Sequence, residues 1–424
     1  MAGTKNIFCF IIGLMLILLV DIKVSAQVLG LELLNGKEEL EIDFDYSNGF
    51  IIIKVRLNNL LPLNFIFDTG AEHVILFKKE ISDVLGLQYE KRINLMGSDL
   101  EKEVFAFITR NVLISIPGTN SVNRDLIVLE DDFINLDSRI GETIDGILGS
   151  RFFRGLILEF DYAKKKLVLY DQKKFKPPTK NKNYSQIEIK VENFKPYITS
   201  NIITVQGDTI QLKLLIDTGS ALPFLLFLNT HSSLILPDNF IRGNLGTGLG
   251  GDLEGYLSLV KEFKLTDQYV FNNLITSFQY VDPNLNPEYY RNRNGLIGNP
   301  ILSRFHVYLD LLSQQIYIKP RKNYNKKFKH DKSGMLIYAF GHHLNQYYVK
   351  DVIENSPAAE VGIKKGDLIM KVGLFPANFY DLNLITKKLQ KKTGKKVRFT
   401  LIRNGEKLKK TIVLRDLVTE KRIN

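Results

Sequence analysis

Thiol chemistry has almost no foothold in this chain: among 424 residues there is one cysteine, Cys9, inside an apolar N-terminal run. A cysteine nucleophile, a zinc site built on thiolates and a disulfide scaffold are thereby excluded. Stability has to come from hydrophobic cores. Histidine is also scarce, with 6 residues scattered along the chain and no ligand spacing to acids. His342 and His343 therefore read as surface residues, and no metal or other cofactor is expected. Long low-complexity tracts are missing, whereas apolar residues make up 45% and aromatics 11% of the chain, a globular composition. Past the N-terminus, no stretch stays apolar over the roughly 20 residues that a membrane-spanning helix needs.

Acidic residues are in deficit, leaving a formal charge of +11. Clustered Lys and Arg can neutralise phosphates. Here they gather in two polar joints, 173–182 and 321–332, and on prospective surface strands, without an aromatic-basic signature or a recognition helix. The expectation is a solvated surface that attracts acidic partners, not a nucleic-acid binder.

What is present begins with Lys5, the apolar run Ile7–Val20 and small residues at Ser25 and Ala26. That is the pattern of an export signal over residues 1–26. The run is too short to span a bilayer comfortably, so cleavage near Ala26 is expected and no lasting membrane span. The mature protein is expected in the cell envelope, periplasmic or secreted.

An internal duplication organises the next 300 or so positions. Phe67-Asp68-Thr69-Gly70-Ala71 matches Ile216-Asp217-Thr218-Gly219-Ser220, and Asp145-Gly146-Ile147-Leu148-Gly149 matches Asn294-Gly295-Leu296-Ile297-Gly298, each 149 positions later. The same offset carries Leu158–Asp161 onto Val307–Asp310 and Leu167–Tyr170 onto Ile316–Lys319. Short apolar or alternating runs such as Ile51–Val55, Phe65–Phe67 and Leu156–Phe160 predict strands. Short helices are expected at Pro300–Phe305 and Arg151–Gly155. Pro177-Pro178 in a basic stretch marks the joint between the halves.

A single Asp-Thr-Gly is weak evidence, because Asp and Gly are ordinary turn residues. Two copies in register, each after an apolar strand and each with an apolar-apolar-Gly segment downstream, resemble the half-sites of the pepsin and retropepsin class of aspartic proteases. The resemblance covers roughly residues 40 to 320. It implies a mainly β fold with two β-barrel lobes, residues 27–176 and 177–320, and an exported endopeptidase of bacterial type acting on polypeptide substrates, with Asp68 and Asp217 as the catalytic pair. Two carboxyls about 3 Å apart cannot both ionise, so one proton is shared and base and acid coexist. By the family pattern Thr69 and Thr218 brace the loops across a pseudo-twofold axis, while Gly70 and Gly219 let backbone approach the carboxyls. Ser220 can give Asp217 a hydroxyl hydrogen bond that Ala71 cannot give Asp68, so Asp217 is expected to be the more readily ionised.

Glycine-containing stretches recur at one place in each half, Asn94–Glu101 and Asn244–Glu254. They read as two flaps over the cleft, with Gly97 and Ser98 in the first and Gly246, Thr247 and Gly248 in the second; the bland alternative is a pair of surface hairpins. One chain holds both halves, so a monomer is expected.

The remaining chain has another grammar. After a basic linker, 321–333, residues 334–418 resemble a PDZ domain. The matching residues are Val352–Ala359, Gly362–Ile369 and the turn Arg403-Asn404-Gly405-Glu406. The resemblance implies an α+β domain that adds an extended peptide beside Met335–Phe340, against a helix near Tyr380–Leu389. Gly334, Met335, Leu336 and Ile337 would line that groove, where a peptide or protein C-terminus is a possible guest; the bland alternative is a domain that packs and stiffens. The rival to the enzyme is a catalytically silent peptide-binding scaffold.

Overall fold

A computed structural model describes residues 30–418 apart from 61, 98–102, 133, 181–182, 249–250, 283, 285–292 and 323. The expected export signal and Ser98 lie outside the described residues, as does the side chain of Thr247. The fold is mainly β. Among the described residues no helix is long and apolar enough to cross a membrane.

The strand Phe50–Leu57 shows how the sequence sets the layers. Its alternate residues point to opposite faces. Ile51, Ile53, Val55 and Leu57 enter the largest core, while Phe50 and Ile52 enter a second cluster on the other face. Lys54 and Arg56 sit where that second face runs out into solvent. A strand covered on both sides needs a nearly continuous apolar run, and Phe-Ile-Ile-Ile supplies it.

Two eight-stranded sheets are built on one plan. In the first, Pro62–Asp68 lies beside Phe50–Leu57 and pairs in parallel with Gly146–Gly149. In the second, Thr209–Asp217 lies beside Lys195–Ile203 and pairs in parallel with Gly295–Gly298. Each sheet curls until a strand near its start also pairs with a long strand near its end, Phe50–Leu57 with Glu103–Ser115 and Lys195–Ile203 with Gly251–Lys264. Curling in this way removes sheet edges. The duplication in the sequence is thus a duplication of topology.

A six-stranded sheet joins the halves, with Leu156–Asp161 antiparallel to Phe305–Asp310 at its middle. Glu159 pairs with Tyr308 there. These residues are equivalent under the repeat, so the pseudo-twofold axis passes between them. The predicted short helices are present but clipped, to a 3-10 turn at Ser150–Phe153 and one α-turn at Asn299–Leu302, because Phe305 already starts the interlobe strand.

The basic joint after residue 320 is fastened down. Tyr324 and Phe328 pack on the main core, and the Arg304 guanidinium sits 4.4 Å from the Phe328 ring centroid. The C-terminal sheet runs Met335–Phe340, Gln346–Val352, Leu368–Val372, Lys396–Arg403, Glu406–Val413, with its own core. Ser356 caps a short helix whose first residue is Pro357, and Asn404 and Gly405 turn the last hairpin with positive φ, 50° and 82°. Asp367, fully buried, is held by Arg403 through two hydrogen bonds of 2.6 and 2.8 Å.

Candidate active site

Each candidate aspartate ends a strand that is clamped from below. Asp68 pairs in register with Gly149, and Asp217 with Gly298. The glycines of the apolar-apolar-Gly segments are required by the chain passing over them: a methyl at Gly298 would lie 2.0 Å from the Leu222 carbonyl oxygen, and one at Gly149 would lie 2.4 Å from that of His73. The downstream motif therefore serves as the floor of the Asp-Thr-Gly loop.

Across the axis the two loops are locked together. Thr69 Oγ1 accepts from the Thr218 amide at 3.0 Å and donates to the Ile216 carbonyl at 2.6 Å; Thr218 Oγ1 accepts from the Thr69 amide at 2.9 Å and donates to the Phe67 carbonyl at 3.0 Å. Both threonines are buried. The result is that the Asp68 and Asp217 carboxyls share one cleft, and each bears on the other's affinity for a proton.

Charge is distributed unequally over the pair. Asp68 Oδ1 accepts from the amides of Gly70 at 2.6 Å and Ala71 at 3.1 Å, whereas Asp217 Oδ1 accepts from Gly219 at 2.8 Å. Burial raises both carboxyls, but the Gly70 amide and the Asp217 carboxyl restrain Asp68, while the Asp68 charge helps push Asp217 up to about 8. The expectation built on Ser220 is reversed. Its Oγ accepts from the Leu222 amide at 3.2 Å, so it tightens its own loop, and the amides favour Asp68 as the ionised member.

The cleft around the pair has a volume of about 360 Å³. Gly97, Gly246 and Gly248 line it, so both hairpins, Lys91–Met96 with Glu103–Ser115 and Ile241–Gly248 with Gly251–Lys264, face the carboxyls. Met96 of the first packs on the cluster holding Leu245 and Leu253 of the second. The second hairpin is also tied to the C-terminal domain, where Asp252 meets Lys350 at 3.3 Å and accepts from the Tyr338 hydroxyl at 3.2 Å.

Sequence reasoning missed several members of this site. Ser150 and Asn299 are equivalent under the repeat and brace the two loops: Ser150 Oγ donates to the Ala71 carbonyl at 3.1 Å, and Asn299 Nδ2 donates to the Thr218 carbonyl. Their shared position after each apolar-apolar-Gly segment was the available signal. Arg293 and Lys195 had none. Their charges reach the pair, Arg293 pulling Asp217 down and Lys195 pulling Asp68 down, and both line the cleft. Among the described residues no cluster of His, Cys, Asp and Glu is arranged to hold a metal ion.

In the C-terminal domain, Gly334, Met335, Leu336 and Ile337 fall at the start of the outermost strand, facing the helix Leu382–Leu389. The loop before this strand is already filled. Asp331 Oδ1 accepts from the amides of Ser333 at 2.9 Å and Gly334 at 2.7 Å, and Ser333 Oγ accepts from the Met335 amide at 3.1 Å. Burial pushes the Asp331 carboxyl up to about 6 against the pull of those amides.

Two family models agree with this geometry: residues 53–152 match the aspartyl protease model and residues 319–414 the PDZ domain model. The chain carries an aspartyl protease domain and a PDZ domain. The protease match ends at residue 152, just past the floor of the first half-site, and the second half-site lies beyond it. A search of curated proteins finds no match to the chain.

Proposed function

We propose that this protein is an exported aspartic endopeptidase in which Asp68 and Asp217 hydrolyse peptide bonds through one shared proton. The observation that carries the reading is the carboxyl pair itself: half-buried in one cleft, cross-braced by two threonines and unequal in affinity for a proton.

The inequality assigns the roles. Asp68, held as the anion by two amides, takes a proton from a water lying between the carboxyls. The oxygen of that water attacks the scissile carbonyl carbon, and the Asp217 carboxyl donates its proton to the carbonyl oxygen. Return of a proton to the amide nitrogen breaks the C–N bond. No covalent intermediate forms. Gly97, Gly246 and Gly248 on the two hairpins would cover an extended peptide, and the PDZ domain would dock polypeptide.

The test is incubation of the mature chain with an unfolded protein over a range of pH, with and without a statine-type inhibitor. Cleavage that the inhibitor stops, and that drops about a thousandfold in Asp217→Asn, supports the reading; cleavage surviving both treatments would place the chemistry elsewhere. Export is tested separately, by fractionating cells and sequencing the N-terminus of the mature protein, which should begin just after Ala26.

A further inference from the structure

We infer that the groove of the PDZ domain takes an acidic internal segment of a polypeptide, not its C-terminus, and leads that segment into the cleft of the carboxyl pair. The inference rests on the peptidase reading only in naming the guest a substrate.

The terminal carboxylate has no vacancy. In the loop that would receive it, the amides of Ser333 and Gly334 already serve Asp331, and the Met335 amide serves Ser333 Oγ. A guest carboxylate would meet the half-buried Asp331 in place of free donors. The strand edge tells the opposite story. Met335–Phe340 ends its sheet, and on its outer side no strand pairs with it among the described residues. An extended segment can therefore add along its Met335–Ile337 end, which lines the cavity, without needing an end to be captured.

The space beside that edge is large and positively charged. A cavity of about 870 Å³ lies between Met335–Ile337, the helix Leu382–Leu389 and both protease halves. Arg304, Arg321, Lys322, Lys326, Lys327 and Lys387 line it, and Asp331 is the one acid among the described lining residues. Such a wall favours carboxylate side chains and disfavours basic ones.

The cavity also adjoins the cleft. Phe50, Arg139 and Ala221 line both. Arg139 projects from the helix Leu136–Ile140, which packs beside the Met335–Phe340 strand. A methyl at Gly246, on the second hairpin, would lie 3.1 Å from Arg139 Nη2. One guanidinium thus stands where groove, hairpin and cleft meet.

The test uses the full chain carrying Asp68→Asn, so that bound peptide survives. The probe is a labelled, C-terminally amidated peptide of about 12 residues, roughly 40 Å when extended, alternating Glu with apolar residues. Controls replace Glu by Gln or Lys, or leave the terminus free. The acidic peptide should bind at least about tenfold tighter than the Gln peptide, weaken as salt is raised, and be indifferent to amidation. The exposed double change Lys326→Glu/Lys327→Glu should weaken it about tenfold. Photo-crosslinkers at its two ends should label 335–337 or 383–390 at one end and 68–73 or 219–222 at the other. Equal binding of the Gln peptide, loss of binding on amidation, no binding at all, or crosslinks confined to one region would overturn the inference. Cleavage by the unaltered chain without acidic preference sinks the groove and leaves hydrolysis standing. Binding as described without cleavage sinks hydrolysis and leaves the groove.

Discussion

Gly219, from the second half of the chain, lies directly against Asp68 from the first: a methyl on Gly219 would sit 2.2 Å from the Asp68 Cγ, and the reciprocal approach of Gly70 to the Asp217 Cγ leaves 2.8 Å. Each carboxyl is thus seated on the opposite loop. Gly219→Ala should force the carboxyls apart, lowering kcat by about a hundredfold or more and lowering the melting temperature. Gly70→Ala should do the same less severely. Steady-state kinetics and thermal unfolding of both variants check the order.

The threonine brace predicts coupling. Thr69→Val removes an acceptor from the buried Thr218 amide, and Thr218→Val does the same to Thr69. An orphaned buried amide costs about 1–3 kcal/mol. In the double variant the losses should not add, because one cross-linked unit is being broken twice. Chemical denaturation of the two single variants and the double variant measures this.

The shared proton makes stability depend on pH in a definite direction. Asp217 is raised to about 8, above the usual carboxylate range. Its contribution is therefore fully present below about pH 4 and is lost as pH rises through about 8. Asp217→Asn removes the titration, so its stability relative to the unaltered chain should grow across that interval by a few kcal/mol. Activity should fall on the alkaline side near the same value. Arg293 pulls Asp217 down, so Arg293→Ala should shift this alkaline limb to higher pH. Melting temperatures and pH–rate profiles report the two effects.

The tie between Asp252 on the second hairpin and Lys350 and Tyr338 on the PDZ domain predicts communication, with little stabilisation. A half-exposed ion pair contributes under about 1 kcal/mol. Asp252→Asn should hence leave global unfolding nearly unchanged while speeding hydrogen exchange in 241–264. Unchanged exchange there would show that the hairpin is held by other contacts.

Much of this molecule was legible in its sequence, because duplication turns a weak tripeptide into a positional constraint. Asp68 and Asp217 stand on equivalent strands, and alternate burial along Phe50–Leu57 follows its apolar pattern. The Asn404-Gly405 hairpin was legible from local backbone preferences, and the Met335–Phe340 edge strand from the resemblance to a PDZ domain.

Apart from Ser150 and Asn299, what escaped was whatever the repeat does not duplicate. Arg293 and Lys195 are two among 57 basic residues, and the repeat aligns them with Ile144 and Tyr46, so only the folded cleft distinguishes them. The Ser220 hydroxyl accepts from the Leu222 amide of its own loop, a contact that only the folded turn shows. Asp331 lies in a stretch that reads as a charged joint, and its role appears only when the loop closes around it.

The central claim is that a single proton is held jointly by Asp68 and Asp217. Carbon-13 NMR of aspartate Cγ, followed across pH in the unaltered chain, Asp68→Asn and Asp217→Asn, tests it most directly. One coupled titration, with its upper step near 8 and lost in both variants, is the predicted result. Two independent titrations near 4, each surviving removal of the other aspartate, would contradict it.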